Sequence, residues 1–546
     1  MRLARAGRTC VRATRPLPQL RVQPASSLVV ACVPPRPLPA LLLRTLVLDD
    51  QRALAWAPCC ARVAATAAPL ATLERRPRTL GDVLRLFARA AFLGFLLLPP
   101  LLLLLPSLLL APPAAEAWFA HFERALLSAL ERGGPCLAKL GQWAATRPDL
   151  LPESLCATLA SLQHHVPTHS ADHTRAAIAQ AFGKPAAELF RSLGGVLGSG
   201  CIAQVHEAVA FDGTRLAIKV LHPRVEQTVS DDLFLLRSAA AAAQAALAPA
   251  VRGLRWLALS EALDEFSDFM SRQLDLRLEA ANLDAFARNF AREERVAFPA
   301  PLRAAGPHGD FGLVSRGVLV ETRLEGETLA SLLHADACEG APAAARHAAR
   351  NRELARLGLR TFLAMLLHHN FVHADLHPGN ILVRAPPPSA SAADGGASSQ
   401  DGGGGCVLGL VDAGLVVELD ERDRRNFLHL FRAIGRGDGA LAGELMLTRA
   451  RKQRCADPEA FKEGMRQLVA AARAGERGAF NLAHLRIGDV LLEVTRLVRV
   501  HQVQADPAFT TLVCSIVVLE GLGRTLDPTL DLFELALPML ARMALA

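Results

Sequence analysis

His373-Ala374-Asp375-Leu376-His377-Pro378-Gly379-Asn380 is the stretch on which the reading of the fold turns. Its spacing, H-x-D-x-x-x-x-N, is that of a loop built for phosphoryl transfer. Asp375 is placed to orient or deprotonate an attacking hydroxyl, and Asn380, five residues on, to reach a magnesium ion from the same loop. His373 and His377 stand four apart, as zinc-binding pairs do on a helix. Pro378-Gly379 breaks any such helix, and the Glu of an H-E-x-x-H motif is missing.

Downstream, Ile381-Leu382-Val383 and Leu408-Gly409-Leu410-Val411 read as two short strands that end on Asp412-Ala413-Gly414. That order makes Asp412 a second magnesium ligand, bridging phosphates through the metal. Upstream, Leu216-Ala217-Ile218-Lys219 matches a strand whose Lys neutralises nucleotide phosphates. About twenty residues earlier, Leu197-Gly198-Ser199-Gly200-Cys201 forms a small-residue turn, with Val205 on the strand that follows. Such a turn lets backbone amides approach phosphate. Each signal alone has a plainer reading, a hairpin for the glycines and a solvated strand residue for Lys219. Their order is that of a two-lobed, kinase-like α+β fold, with ATP and Mg2+ as the expected cofactors.

The charge balance adds a second line. Sixty Lys and Arg against 53 Asp and Glu give +7, which raises nucleic acid as a partner. Residues 1–48, however, hold eight Arg and no acid, leaving 52 basic against 53 acidic residues in the rest. The basicity belongs to a leader with the composition of a mitochondrial transit peptide, and a nucleic-acid-binding body is not expected. Only five Lys occur, at positions 139, 184, 219, 452 and 462, and there is no Tyr, which excludes tyrosine chemistry. The eleven Cys show no C-x-x-C spacing, so a reducing compartment fits better than a disulfide scaffold.

Twenty-six uncharged residues separate Arg89 from Glu116. As helix they would span about 39 Å, enough for a tilted bilayer crossing. Pro99, Pro100, Pro106, Pro112 and Pro113 punctuate the segment, and a re-entrant hairpin or an apolar linker are the competing readings. The expected division is a transit peptide (1–48), a linker (49–89), a transmembrane segment (90–115), a helical extension (116–190), a small lobe with a helical insert (191–325) and a large lobe (326–546). A Pro-, Ser- and Gly-rich insert occupies 385–405 of the large lobe.

The chain resembles the UbiB/aarF-domain family of atypical kinases over roughly residues 125–530. Beyond generic kinase elements, the resemblance rests on Lys139-Leu140-Gly141-Gln142, on Asp275-Leu276-Arg277-Leu278-Glu279-Ala280-Ala281-Asn282, and on His373 to Asn380. It implies that Glu279 pairs with Lys219, and that Lys139 and Gln142 lie on an N-terminal K-x-G-Q extension occupying the place of a peptide substrate. It further implies a kinase-like ATPase in a mitochondrial membrane, the inner one by a single pass, in contact with its lipids. The expected partners are proteins of coenzyme Q or related lipid metabolism.

Departures from the family pattern are specific. Gly198-Ser199-Gly200-Cys201 replaces an Ala-rich loop, Gln273 stands where many members carry Glu, and Ala413 takes the place of Phe. No A-P-E element follows Gly414. A nucleotide-binding scaffold without turnover and a protein Ser/Thr kinase therefore stand as alternatives to the ATPase.

Overall fold

The computed structural model describes residues 79–536 and 539, apart from 112, 149, 163–167, 248–258, 303–311, 340, 385–404, 451, 454, 474–486, 505–506 and 531–534. The expected transit peptide, the linker up to residue 78 and nearly all of the insert lie outside the described residues.

Helix α1 (Leu80–Leu109) begins ten residues before the expected membrane segment and ends six before its end. The early start has a local cause. The Thr79 hydroxyl accepts from the Asp82 N–H at 3.1 Å and the Asp82 carboxylate accepts from the Thr79 N–H at 3.2 Å, a capping box. The helix continues through Pro99, Pro100 and Pro106. Its stretch Leu80–Ser107, of mean hydropathy 2.1, is long and apolar enough to cross a membrane.

α1 is not alone. Helix α2 (Ala114–Arg132) packs back along it. The Arg89 Nη2 donates to the Gly133 carbonyl at 2.6 Å, so the start of α1 meets the end of α2. The same guanidinium grips Asp232 with two bonds of 2.6 and 2.7 Å, and Arg85 Nε donates to Asp231 at 2.7 Å. Both acids sit on helix α4 (Val225–Leu247), so the open end of the hairpin is tied to the small-lobe side of the protein. Phe87, Phe95, Leu98 and Leu105 remain exposed on α1. Helix α3 (Pro135–Ala145) follows and carries Lys139 and Gln142.

The small lobe is a four-stranded antiparallel sheet in the order β1-β2-β3-β5, from β1 (Ser192–Ser199), β2 (Ala203–Val209), β3 (Arg215–Leu221) and β5 (Val318–Thr322). Alternation assigns its faces. Leu216, Ile218, Val220, Val318 and Val320 pack with Ile178 and Phe190 on one side, leaving Ala217, Lys219, Leu319 and Glu321 for the other. The β2–β3 turn needs a glycine, since Gly213 has φ +90°. Between β3 and β5 come α4, α5 (Leu259–Gln273), α6 (Leu276–Asn289) and β4 (Val296–Ala297).

The large lobe starts with β6 (Glu327–Thr328) and, after a helix at Leu329–Glu339, helix α7 (Ala341–Leu363). A wider π-helical segment, Ala364–His369, extends α7 toward β7 (Val372–His373). Strands β8 (Ile381–Arg384) and β9 (Val407–Leu410) pair antiparallel, from Ile381 opposite Leu410 to Arg384 opposite Val407. They complete a sheet ordered β4-β9-β8-β6, while β10 (Val416–Val417) pairs with β7. Phe362, Met365, Leu512 and Ile516, from α7, its extension and α9 (Pro507–Leu526), share one core. The cleft between the lobes thus receives β3 from above and the β7–β8 and β9–β10 loops from below.

Candidate active site

Lys219 occupies the middle of this cleft. Its Nζ donates to Glu279 Oε1 at 2.8 Å and to Asp412 Oδ1 at 2.6 Å. The expected pairing with Glu279 is present because α6, capped by the Asp275 side chain on the Arg277 N–H, turns its buried face of Leu276, Glu279, Ala280 and Leu283 inward. Burial alone would lower the Lys219 ammonium, but Asp412 and Glu279 outweigh it and raise its pKa. For Asp412, burial pushes upward, and Lys219, with a smaller share from Lys139, holds the carboxyl well below its usual range. Burial pushes the Glu279 carboxyl up; Lys219 pulls against this and Asp412 adds to it, leaving it raised.

Asp412 has φ +61°, a left-handed conformation that a non-glycine residue adopts at a cost of about 1 kcal/mol or more. Its neighbours hold it there. The Val411 N–H donates to the Asn380 carbonyl at 3.0 Å, and Asn282 Nδ2 donates to the Ala413 carbonyl at 2.8 Å. Asn282 thus anchors the peptide after Asp412 from α6, one turn beyond Glu279.

The loop from His373 to Asn380 is organised around His373, which is fully buried. Burial lowers its pKa, so it is neutral. Its Nε2 donates to the Val411 carbonyl at 3.1 Å, which leaves Nδ1 to accept from the Asp375 N–H at 3.3 Å. The Asn380 amide donates to the Asp375 carbonyl at 3.0 Å. That bond leaves the Asn380 side-chain oxygen free to act as a ligand. Together with the Asp412 carboxylate, 45% exposed, it supplies two hard oxygen donors of the kind magnesium takes. Among the described residues no three His, Cys, Asp or Glu are grouped to hold a metal by themselves.

The expected turn at 197–201 is shifted: Leu197, Gly198 and Ser199 are the last residues of β1, and the chain turns into β2 through Gly200, Cys201 and Ile202. Ser199 pairs with Gln204, Gly198 with Val205, and the Gly200 N–H donates to the Ala203 carbonyl at 2.9 Å. Gly198 has open space where a Cβ would stand, and Leu197 is exposed. Cys201 differs from the rest: its side chain is buried in the main core, where burial raises the thiol, so only its backbone faces the turn. Val205 lies opposite Lys219 in the sheet. His222 steadies the loop from behind, with Nε2 donating to the Gly200 carbonyl at 2.9 Å.

The extension reaches the same place. The Lys139 charge favours the ionised forms of the Cys201 thiol and the Asp412 carboxyl, and Gln142 follows three residues later on the same helical face. Two further residues enter the site: Gln273, already marked as a departure from the family pattern, and Glu321, which no motif announces. Gln273 Nε2 and Glu279 Oε2 both lie within 3.7 Å of the point where a Cβ on Gly414 would project. Glu321, from β5, is buried beside Glu279, Lys219 and Asp412.

Residues 161–446 match the family model of the ABC1 atypical kinase-like domain, and residues 479–531 that of the UbiB helical domain. A probable serine/threonine-protein kinase of Dictyostelium discoideum is 31% identical, over 84% of this chain and 70% of its own length. A mitochondrial ABC1 family protein of Saccharomyces cerevisiae is 32% identical, over 76% of this chain and 67% of its own. The probable protein kinase UbiB of Marinobacter nauticus is 28% identical, over 76% and 68%.

Proposed function

Because the chain belongs to the ABC1/UbiB family of atypical kinase-like proteins, we propose that it is a MgATP-dependent kinase-like ATPase of a mitochondrial membrane, serving coenzyme Q or related lipid metabolism. The observation that carries this is the triad of Lys219, Glu279 and Asp412, assembled from β3, α6 and the loop after β9. In this reading the backbone of Leu197 to Cys201, with Val205, covers the nucleotide, and Lys219 neutralises its phosphates. Asn380 and Asp412 would hold magnesium, which when bound would draw charge from the transferring phosphoryl group. Asp375 orients the acceptor and takes its proton, while neutral His373 fixes the Asp375 backbone through the 3.3 Å bond. Lys139 and Gln142 close the cleft where a peptide would lie.

The working division keeps the extension at 116–190, the small lobe at 191–325 and the large lobe at 326–546. Import through residues 1–48 and attachment through α1 to the inner membrane belong to the same proposal. The Arg89 bond to Gly133 favours a hairpin that enters and leaves on one side over the expected single pass, since both its ends stay at the catalytic body. One observation supports the scaffold alternative. Only six residues separate Gly414 from Glu421, where a charged helix, α8 (Glu421–Arg436), begins, and that leaves little chain to dock a protein substrate.

The test is Mg-dependent nucleotide binding and hydrolysis by the full-length chain in nanodiscs with and without cardiolipin, beside Asp375→Asn and Asp412→Asn. Hydrolysis above that of Asp375→Asn supports the ATPase. Binding without it supports the scaffold, and absence of binding under every condition ends both readings.

A further inference from the structure

Strand register places one carboxyl where the kinase motifs assign none. β3 and β5 pair with Lys219 opposite Leu319 and Ala217 opposite Glu321. Cross-strand partners project from the same face, and so do residues two apart on a strand. Ala217, Lys219, Leu319 and Glu321 therefore share the cleft face, as the packing of Leu216, Ile218, Val318 and Val320 on the opposite side requires.

The direction along this face follows from the loop. Ala203, the first residue after the β1–β2 turn, pairs with Leu221 at the far end of β3. Moving away from the turn, the order is Leu221, Lys219, then Ala217 with Glu321. A nucleotide whose phosphates lie under the turn and at Lys219 brings its base to the Ala217–Glu321 pair, about 7 Å further along the strand.

Glu321 is 8% exposed, and its Oε2 has no hydrogen-bond partner. The charged groups around it are Glu279 from α6, Lys219 from β3 and Asp412 from the β9–β10 loop, and Lys219 is already committed to the other two. A buried polar atom left unpaired costs about 1–3 kcal/mol, so it marks a place where a ligand atom is expected. Burial, reinforced by Glu279, pushes this carboxyl up to about 8, which leaves it protonated at neutral pH. It then offers one donor and one acceptor side by side.

We propose that Glu321 reads the base of the nucleotide, accepting an exocyclic amino hydrogen from a 6-aminopurine and donating its own proton to the adjacent ring nitrogen. The adenine edge presents that pair, an amino donor beside the N7 acceptor, whereas the same edge of guanine presents two acceptors. The inference rests on the nucleotide reading above and names its specificity residue. Glu321 is in this inference a binding residue, not a catalytic one.

The experiment compares affinity for MgATP and for the Mg complex of purine riboside triphosphate, which lacks the 6-amino group, using the full-length chain in detergent micelles. Wild type is expected to prefer ATP by about tenfold or more. Glu321→Gln keeps a donor and an acceptor and should retain the preference. Glu321→Met should bring the two affinities together, because ATP loses the bonds of both its amino group and its ring nitrogen while the analogue loses only the latter. A folded Glu321→Met protein with the wild-type ratio overturns the proposal and leaves the nucleotide reading intact. Equal wild-type affinities overturn it whatever the variants do, and a wild type that binds neither nucleotide removes the underlying reading as well.

Discussion

Lys219 and Asp412 are 193 positions apart in the chain, yet their side chains meet at 2.6 Å. A single ammonium thereby joins the small-lobe sheet to the loop after β9, and through Glu279 to helix α6.

Removing that ammonium should cost stability as well as binding. Lys219→Met leaves Glu279, only 5% exposed, without a counter-charge, a loss of about 3–5 kcal/mol when one partner of a buried pair is deleted. The thermal midpoint should fall, and adding Glu279→Gln should recover part of it. Lys219→Arg is expected to bind MgATP at least tenfold more weakly, because a planar fork does not replace a compact ammonium held between two carboxylates. A Lys219→Arg protein with wild-type affinity would refute the phosphate role.

Asn282 should matter to the metal site without touching it. Asn282→Ala removes the bond to the Ala413 carbonyl, at a cost of about 1 kcal/mol. The left-handed conformation of Asp412 loses one support, and the magnesium concentration for half-maximal nucleotide binding should rise. Asn282→Ala with an unchanged magnesium requirement would show that the anchor is structural only.

Stability should depend on pH through Glu321. Its carboxyl is raised from 4.5 to about 8 by burial and by Glu279, so between those values the folded chain keeps a proton that the unfolded chain has released. The stabilising contribution is complete below about pH 4.5 and is lost as pH rises through 8. Urea midpoints should therefore fall with rising pH more steeply for wild type than for Glu321→Gln. Parallel profiles would contradict the assignment.

At the other end of the molecule, Asp232 is fully buried against Arg89. Arg89→Met should destabilise the hairpin by about 3–5 kcal/mol and expose the α2–α3 junction to limited proteolysis, and the further change Asp232→Asn should restore much of the resistance. A cleavage pattern identical to wild type in Arg89→Met would show that the hairpin is held by its apolar contacts instead.

These residues also mark what the sequence could disclose. Asp375, Asn380, Asp412 and Lys219 were legible because each belongs to a short motif whose spacing the chemistry dictates. Glu279 has no such local signature and was legible only through the family resemblance. Glu321 was not, since Val318-Leu319-Val320-Glu321-Thr322 is an ordinary strand until its register with β3 turns the acid into the cleft. The same holds for α1. Arg85 and Arg89 read as charges flanking a membrane segment, and only long-range pairing with Asp231 and Asp232 draws them into the body of the protein.

The β8–β9 ladder has a practical corollary. Arg384 and Val407 close on each other with 22 residues between them, while Asn380 and Asp412 lie at the opposite end of the same two strands. Doubling a loop adds only about 0.6 kcal/mol of closure entropy. A fluorescent reporter or affinity tag spliced into this interval would therefore ride on the large lobe at little energetic expense, with its nearest rigid support at the end of the strands away from Asn380 and Asp412.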